Sequence, residues 1–553
     1  MLSKNKHIVG YGALLIVLIA GMQIPVMDID AAQYASIAME MLKTGNWLEV
    51  QHRGADYLDK PPLHFWMSAL AFKCFGIETW SYKLPSVLVA ILSVWSIFKV
   101  GLMFYSTQTA RFASLLLASS LGFTLMCNDV RTDTLLMGFT TFSVWQLAAW
   151  NKNHKYRFLL GAFAGIGLAM LSKGPLGAVV PASACLTHWI LKRELKAVFQ
   201  WQWLLGLGIT ALILLPMCIG LYQQFDLHPE KTVNGQTNVS GLYFYFWEQS
   251  FGRITGENTW KNNTPFWYFT HVYLWAFLPW SALLIPAVYK QVKRFFSREE
   301  ALKEGYSLGA FLLIFAALSA SRYKLPHYIF VTLPWASLLL SNWLTNLKGK
   351  TLHYALTAQR LVSLLGSLII SLIPLFVFPT QSPYLWIPFL LFTCLTFLLL
   401  NNPPDAERLV YSGVVLSLTL SSMLNMYFYP QLLPYQSSSN VAKQIFKDKV
   451  PIKNLYFLGR HGHALDFYSK QITHHVPSVH ALTDSLRNQP SIFLYTNQVG
   501  KEALTNAGTS YRVLYTMPHF QVALLNLKFL YHKTRPASLE NTYLLEIRGK
   551  KNK

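Results

Sequence analysis

The chain has 553 residues, of which 53% are hydrophobic and only 13% charged, too few polar side chains to clothe several water-soluble domains. Its formal net charge of +22 would suggest nucleic acid in a soluble protein. Much of that excess sits in short basic segments between apolar runs, where it directs topology and meets anionic lipid, so a nucleic-acid partner is not expected.

Apolar runs of roughly 16 to 23 residues recur over the first 430 positions, the length that crosses ~30 Å of hydrocarbon. The expected fold class is therefore a polytopic α-helical membrane protein. In chain order the spans fall near 7–25, 83–105, 110–127, 134–150, 157–171, 175–191, 202–222, 267–289, 305–320, 327–345, 360–378, 383–400 and 410–428. The first reads as an uncleaved span rather than a signal peptide, because it lacks a small-x-small cleavage site and a dozen like it follow.

Lys and Arg collect in alternate loops: Lys152, Lys155 and Arg157; Lys192, Arg193 and Lys196; Lys290, Lys293, Arg294 and Arg298; Lys348 and Lys350. These are expected to be cytoplasmic, with the N-terminus on the same side. The opposite face then carries two long loops, 26–82 and 225–264, and the C-terminal region. Residues 1–428 form the expected membrane domain. Residues 429–553 lose the long apolar runs and alternate strand-like pieces (454–458, 491–495) with helical ones (441–446, 481–487), as in a small α/β domain. The five cysteines lie in apolar stretches without metal-type spacing and read as packing residues.

The first outer loop opens with Asp28 and Asp30, then an amphipathic pattern at Tyr34, Ile37, Ala38, Met41 and Leu42 that suits a helix lying along the membrane surface. Two carboxylates at a membrane boundary are costly unless paired, solvated or working, and the alternative for Asp30 is a helix N-cap. Tyr57-Leu58-Asp59-Lys60-Pro61-Pro62 follows, where Lys60 is either a point charge for phosphate or a snorkelling lysine. Asn128 to Asp133 supplies Asp129, Arg131 and Asp133. The second long loop adds Glu248, Arg253, Glu257, Lys261 and His271, and the turn from 321 to 328 adds Arg322, Lys324, His327 and Tyr328. Acids and bases gathered on one face suit phosphate binding and activation of a nucleophile. A transporter would place its charges nearer the bilayer midplane.

Asp30-Ala31-Ala32-Gln33-Tyr34, Gly45-Asn46-Trp47, Tyr57 to Pro62, Arg131-Thr132-Asp133, Ser172-Lys173-Gly174-Pro175 and Lys324-Leu325-Pro326-His327-Tyr328 together resemble the motifs of one superfamily. It comprises the GT-C membrane glycosyltransferases that use polyprenyl-phosphate sugars, and the likeness is strongest to the lipid A aminoarabinose transferase branch, with the protein O-mannosyltransferases as the wider relatives. The resemblance implies thirteen transmembrane helices and a periplasmic α/β domain in a bacterial inner membrane, an undecaprenyl-phosphate-linked sugar donor, and a lipid A or other envelope glycolipid acceptor. A protein acceptor is the alternative within the class, and a lipid-linked sugar flippase the alternative outside it. It further implies catalytic roles for Asp30 and Asp133, with Asp28 compensating where the family's aspartate-glutamate pair reads Asp30-Ala31. Lys60, Arg253, Tyr57, Tyr328 and Lys324 would hold the donor phosphate. Asp59 would share a divalent metal, although Gln249 stands near the place of the family's metal-binding histidine.

Overall fold

The computed structural model describes residues 5–233, 235–252, 262, 264–297, 302–401, 405–448, 450, 454–459, 462–482 and 491–548. Helices occupy the ranges expected from hydropathy. Among the described residues five are long and apolar enough to cross a bilayer: Thr79–Phe104, Gln202–Asp226, Gly349–Val377, Tyr384–Asn401 and Ala406–Tyr435. A sixth is reached if Thr107–Ala118 and Leu121–Asn128, bent by 50°, count as one broken span. The bend falls at Ser119-Ser120, whose hydroxyls bond back to carbonyls of the preceding turn and compete with a continuous helix. A second expected run, 267–289, divides into Tyr268–Ala276 and Ser281–Phe296 around Pro279, which lacks the backbone donor a helix interior requires.

The largest core lies between these helices, around Phe123, Phe277, Trp280, Trp335 and Leu136. Glycines set its closest approaches. A methyl group at Gly413 would sit 2.1 Å from the Trp280 ring, whose indole N–H is satisfied by Ser119 Oγ at 3.1 Å. Polar ties hold the first helix, Lys6–Met22, in place: Asn425 donates to the Val17 carbonyl at 3.0 Å, and Asn128 donates to Asn425 Oδ1 at 2.7 Å. The buried Lys83 ammonium donates to the Gly21 and Ile24 carbonyls at 3.2 and 2.7 Å, holding the chain at and just past that helix end. The chain thereby leaves the first helix along a fixed path into the loop that carries Asp28 and Asp30.

That loop contains the helix Asp30–Thr44, the hairpin β1 (Gln51–His52) and β2 (Ala55–Asp56), and the helix Leu63–Phe75. Arg53 and Gly54 turn the hairpin with φ of 57° and 74°, the paired left-handed geometry of a two-residue hairpin turn. Both of their N–H groups donate to the Glu40 carboxylate, at 2.6 and 2.8 Å, which offsets the strain at the non-glycine position. The helix Asp30–Thr44 departs from the membrane-surface expectation. Ala31, Ala32, Ala35, Ser36, Met39 and Glu40 are buried along with its apolar stripe, because the helix His463–Ser469 packs on its other side.

The C-terminal region is the expected α/β unit. Its five-stranded sheet has the order β4-β3-β5-β7-β6, with β3 Leu455–Leu458, β4 His474–His475, β5 Ser491–Asn497, β6 Tyr511–His519 and β7 Glu540–Arg548. β3 pairs in parallel with β4 and β5, and β7 pairs antiparallel with β5 and β6. The expected helix at 441–446 is found as Ser437–Lys447, whereas 483–487 of the second expected helix lies outside the described residues.

At Gly138 a methyl group would stand 2.3 Å from Val89 Cγ1 and 2.4 Å from the Val89 carbonyl oxygen. Gly138→Ala is expected to lower stability by about 1–3 kcal/mol, the range for overpacking a tight contact. A thermal melt of the detergent-solubilised protein checks this, and an unchanged midpoint would mean that the helices are not so closely apposed.

Candidate active site

Asp30 is the first residue of its helix, not the cap. Ile29 stands at the cap position, no side-chain cap bond forms, and the Asp30 carboxylate instead pairs with Arg131 Nη1. Arg131 also holds Asp129 at 2.8 Å, so one guanidinium at the start of the helix Thr132–Asn153 orients two carboxylates. Those two acids, Asp129 ahead of Asp30, hold the Arg131 proton more firmly than usual despite burial.

One helical residue further on, Asp133 is buried, with only 4% of its side chain exposed. Its Oδ1 pairs with Lys173 and its Oδ2 lies 3.7 Å from His327 Nε2. A carboxylate so enclosed would be costly without cations beside it. Lys173 ends the helix Tyr156–Lys173, and its ammonium also lies 3.8 Å from the centre of the Tyr328 ring, a cation–π contact. Tyr328 leads away from the turn that carries His327, the two rings meeting edge to face at 5.0 Å.

Lys60 pairs with the neighbouring Asp59 at 2.8 Å and is 14% exposed. Rather than snorkelling to open solvent, it lines two adjoining cavities. The narrower is bounded by Tyr57, Lys60, Pro61, Gln224, Tyr245 and Gln249. The wider, about 810 Å³ including its open mouth, brings Lys60, Lys173, Tyr328 and Ser250 to walls made of Leu176, Val179, Phe251, Ala317 and Leu318. Two lysines lining an otherwise largely apolar groove suit an amphiphile with an anionic head. Tyr57 and Tyr34 are enclosed, and burial, reinforced for both by the charges of Asp59 and Asp30, drives their hydroxyl pKa values well above 10. Both phenols therefore remain hydrogen-bond donors throughout the working pH range.

Of the residues singled out in the sequence, Asp30, Tyr57, Asp59, Lys60, Asp133 and Tyr328 thus come from three separate segments to one end of the helical bundle. Lys324 does not line either cavity. Its ammonium donates to the Thr264 carbonyl at 3.1 Å, while Asn262 bonds both its N–H and its carbonyl, so it pins the second long loop. Arg253 lies outside the described residues, as do Glu257 and Lys261. Asp28 faces the C-terminal unit: its oxygens accept from Ser438 Oγ at 2.6 Å and the Ala464 N–H at 2.9 Å, and its own N–H donates to Gln436. Both of its carboxylate oxygens are thus engaged by the C-terminal unit.

A metal at Asp59 finds no support in the donor set. Asp59 is paired with Lys60, the Gln249 amide donates to the Asp59 carbonyl, and no group of three His, Cys, Asp or Glu ligands among the described residues includes it. Gln224 was not expected at the site, since a lone glutamine carries no signal, whereas Gln249, which stands near the place of the family's metal-binding histidine, lines both cavities. Lys173 and His327 were visible as motif members, and their convergence on Asp133 is tertiary.

The fold is that of two crystal structures of ArnT from Cupriavidus metallidurans. The apo form gives a TM-score of 0.75 at 18% identity, covering 98% of both chains. The form bound to undecaprenyl phosphate gives 0.75 at 18%, covering 97% of both. In sequence, residues 59–219 match the family model described as dolichyl-phosphate-mannose-protein mannosyltransferase. An undecaprenyl phosphate-alpha-4-amino-4-deoxy-L-arabinose arabinosyl transferase of Pseudomonas fluorescens (strain Pf0-1) is 27% identical over 337 residues, 59% of this chain and 55% of that one. A transferase of the same description from Pseudomonas paraeruginosa is 28% identical over 374 residues, 66% of this chain and 64% of that one. The matched stretch therefore spans between half and two thirds of the relatives' length.

Enclosure raises the pKa of Asp28 from 3.8 to about 6, against the pull of Ser438 and Ala464. A carboxyl that binds its proton more tightly when folded contributes stability fully present below 3.8 and lost as pH rises through about 6. Asp28→Asn is expected to flatten this part of the melting-temperature profile. An identical slope in wild type and variant would remove Asp28 as its source.

Proposed function

We propose that the chain is a glycosyltransferase that moves a sugar from an undecaprenyl-phosphate donor to lipid A or a related envelope glycolipid. The observation that carries this reading is a groove with apolar walls that Lys60 and Lys173 both line, Lys173 against the Tyr328 ring. It suits a polyprenyl phosphate, with the head at the lysines and the chain running toward lipid. Similarity to the arabinosyl transferases supports it, and makes 4-amino-4-deoxy-L-arabinose the first sugar to test. The proposed setting is a bacterial inner membrane crossed thirteen times by residues 1–428, with the N-terminus cytoplasmic and residues 429–553 forming a periplasmic domain.

In the proposed reaction the phosphate displaces Asp59 from Lys60. The lysine charge then offsets the negative charge that grows as the bond between sugar C1 and the phosphate oxygen breaks, the electron pair staying on the oxygen. Asp30, oriented by Arg131 and open on its other side, positions the acceptor oxygen that attacks C1. A hydroxyl acceptor passes its proton to Asp30, whereas a phosphate acceptor needs no base. Asp133, fixed by Lys173, hydrogen-bonds sugar or acceptor groups. One displacement inverts the anomeric centre.

Incubation with a radiolabelled polyprenyl-phosphate sugar and lipid A should yield glycosylated lipid A and free polyprenyl phosphate. Lys60→Ala and Asp30→Ala are each expected to slow transfer by roughly a hundredfold or more, as when a transition-state partner is removed, while the melting temperature is kept. Label that crosses the membrane on intact donor would mean a flippase. Full transfer by both variants would take the two residues out of the reaction.

A further inference from the structure

Away from the groove, the first outer loop and the C-terminal unit bring three metal-binding side chains together. His52 ends β1, His463 opens the helix His463–Ser469, and Asp466 lies one turn further along it. One ligand atom from each lies within 4.8 Å of the others, and the two imidazole rings stand 4.9 Å apart. We propose that His52, His463 and Asp466 bind a divalent transition metal, with zinc as the ion of choice, which staples the outer loop to the C-terminal unit.

The donor set argues for the ion. Two imidazole nitrogens and one carboxylate oxygen select zinc and its neighbours over magnesium or calcium, which take oxygen ligands. Ligands at ~2.0–2.1 Å in a tetrahedron stand about 3.4 Å apart, so atoms within 4.8 Å of one another need to close by at most about 1.4 Å, within reach of imidazole rotation. Spacing of three residues along a helix already places His463 and Asp466 on one face.

Charge around the cluster is a second, independent observation. Asp466 Oδ2 accepts from Arg53 Nη2 at 2.6 Å, and Thr473 holds Oδ1. Glu40 and Asp28 add two further carboxylates, each enclosed and each bonded to a segment that carries the cluster, Glu40 to the Arg53 turn and Asp28 to Ala464. Three carboxylates against one guanidinium leave two formal negative charges for a dication to neutralise. Arg53 also lies 4.3 Å from the centre of the Phe457 ring, which retains its charge when Asp466 turns toward an ion. None of the three ligands lines either cavity, and the proposal does not depend on the transfer reaction proposed above.

The test uses the full chain purified in detergent, with zinc measured by inductively coupled plasma mass spectrometry after dialysis against metal-free buffer. About one zinc per chain is expected in the wild type, and His52→Ala with His463→Ala should weaken binding at least about tenfold. His228→Ala, at an exposed histidine, should retain the ion. Cobalt in place of zinc should give the visible absorption of a low-symmetry nitrogen and oxygen site. A chelator should lower the wild-type melting temperature and added zinc restore it, a readout that requires no variant to fold. A folded wild type without zinc and without a zinc-dependent melting shift would overturn the proposal, as would full binding by the double variant.

Discussion

A carboxylate at the edge of an apolar bundle has to be matched by a cation, and that requirement arranges this end of the molecule. Asp30 and Asp129 share Arg131, Asp133 takes Lys173, and Asp59 takes Lys60. Each pair joins chemistry to architecture, since Arg131 and Asp133 begin one helix, Lys173 ends the next, and Asp30 begins a third. Loss of Lys173 would leave the enclosed Asp133 carboxylate without its main cation, which costs far more than the pair contributes, whereas Asp30 and Asp59 keep access to solvent.

The first outer loop is the keystone. Gln224 bonds both the N–H and the carbonyl of Val50 and also reaches Asp56, which ties the hairpin to the helix that leads into the second long loop. Arg53 and Asp28 tie the other side of the loop to the C-terminal unit. Asp30 and Lys60 therefore sit on a segment clamped from two directions. Such clamping gives a functional group its position on a scaffold otherwise made of loop.

Much of the plan was legible before the structure. Hydropathy anticipated the helical ranges, because length and apolarity are local properties, and the loss of long apolar runs anticipated a sheet toward the C-terminus. Asp30, Lys60 and Asp133 stood out because charge beside long apolar runs needs a reason. The partners of Asp28 were not legible: two residues from Asp30, it looked like a second catalytic acid, and its partners Ser438 and Ala464 lie more than 400 positions away. The helix Asp30–Thr44 was misjudged for the same reason, since its outer face is covered by the distant helix His463–Ser469.

The sequence by itself determined the helical membrane character, the presence of a sheet toward the C-terminus, and the motifs that supply acids and bases, all of which follow from patterns within tens of residues. Only the tertiary structure decided which acid meets which base. Asp30 takes Arg131 and not a cap, Lys324 takes a backbone carbonyl and not the groove, and His52 finds His463. Partner choice depends on distances between segments far apart in the chain, and these are fixed by how whole helices pack rather than by any local run of residues.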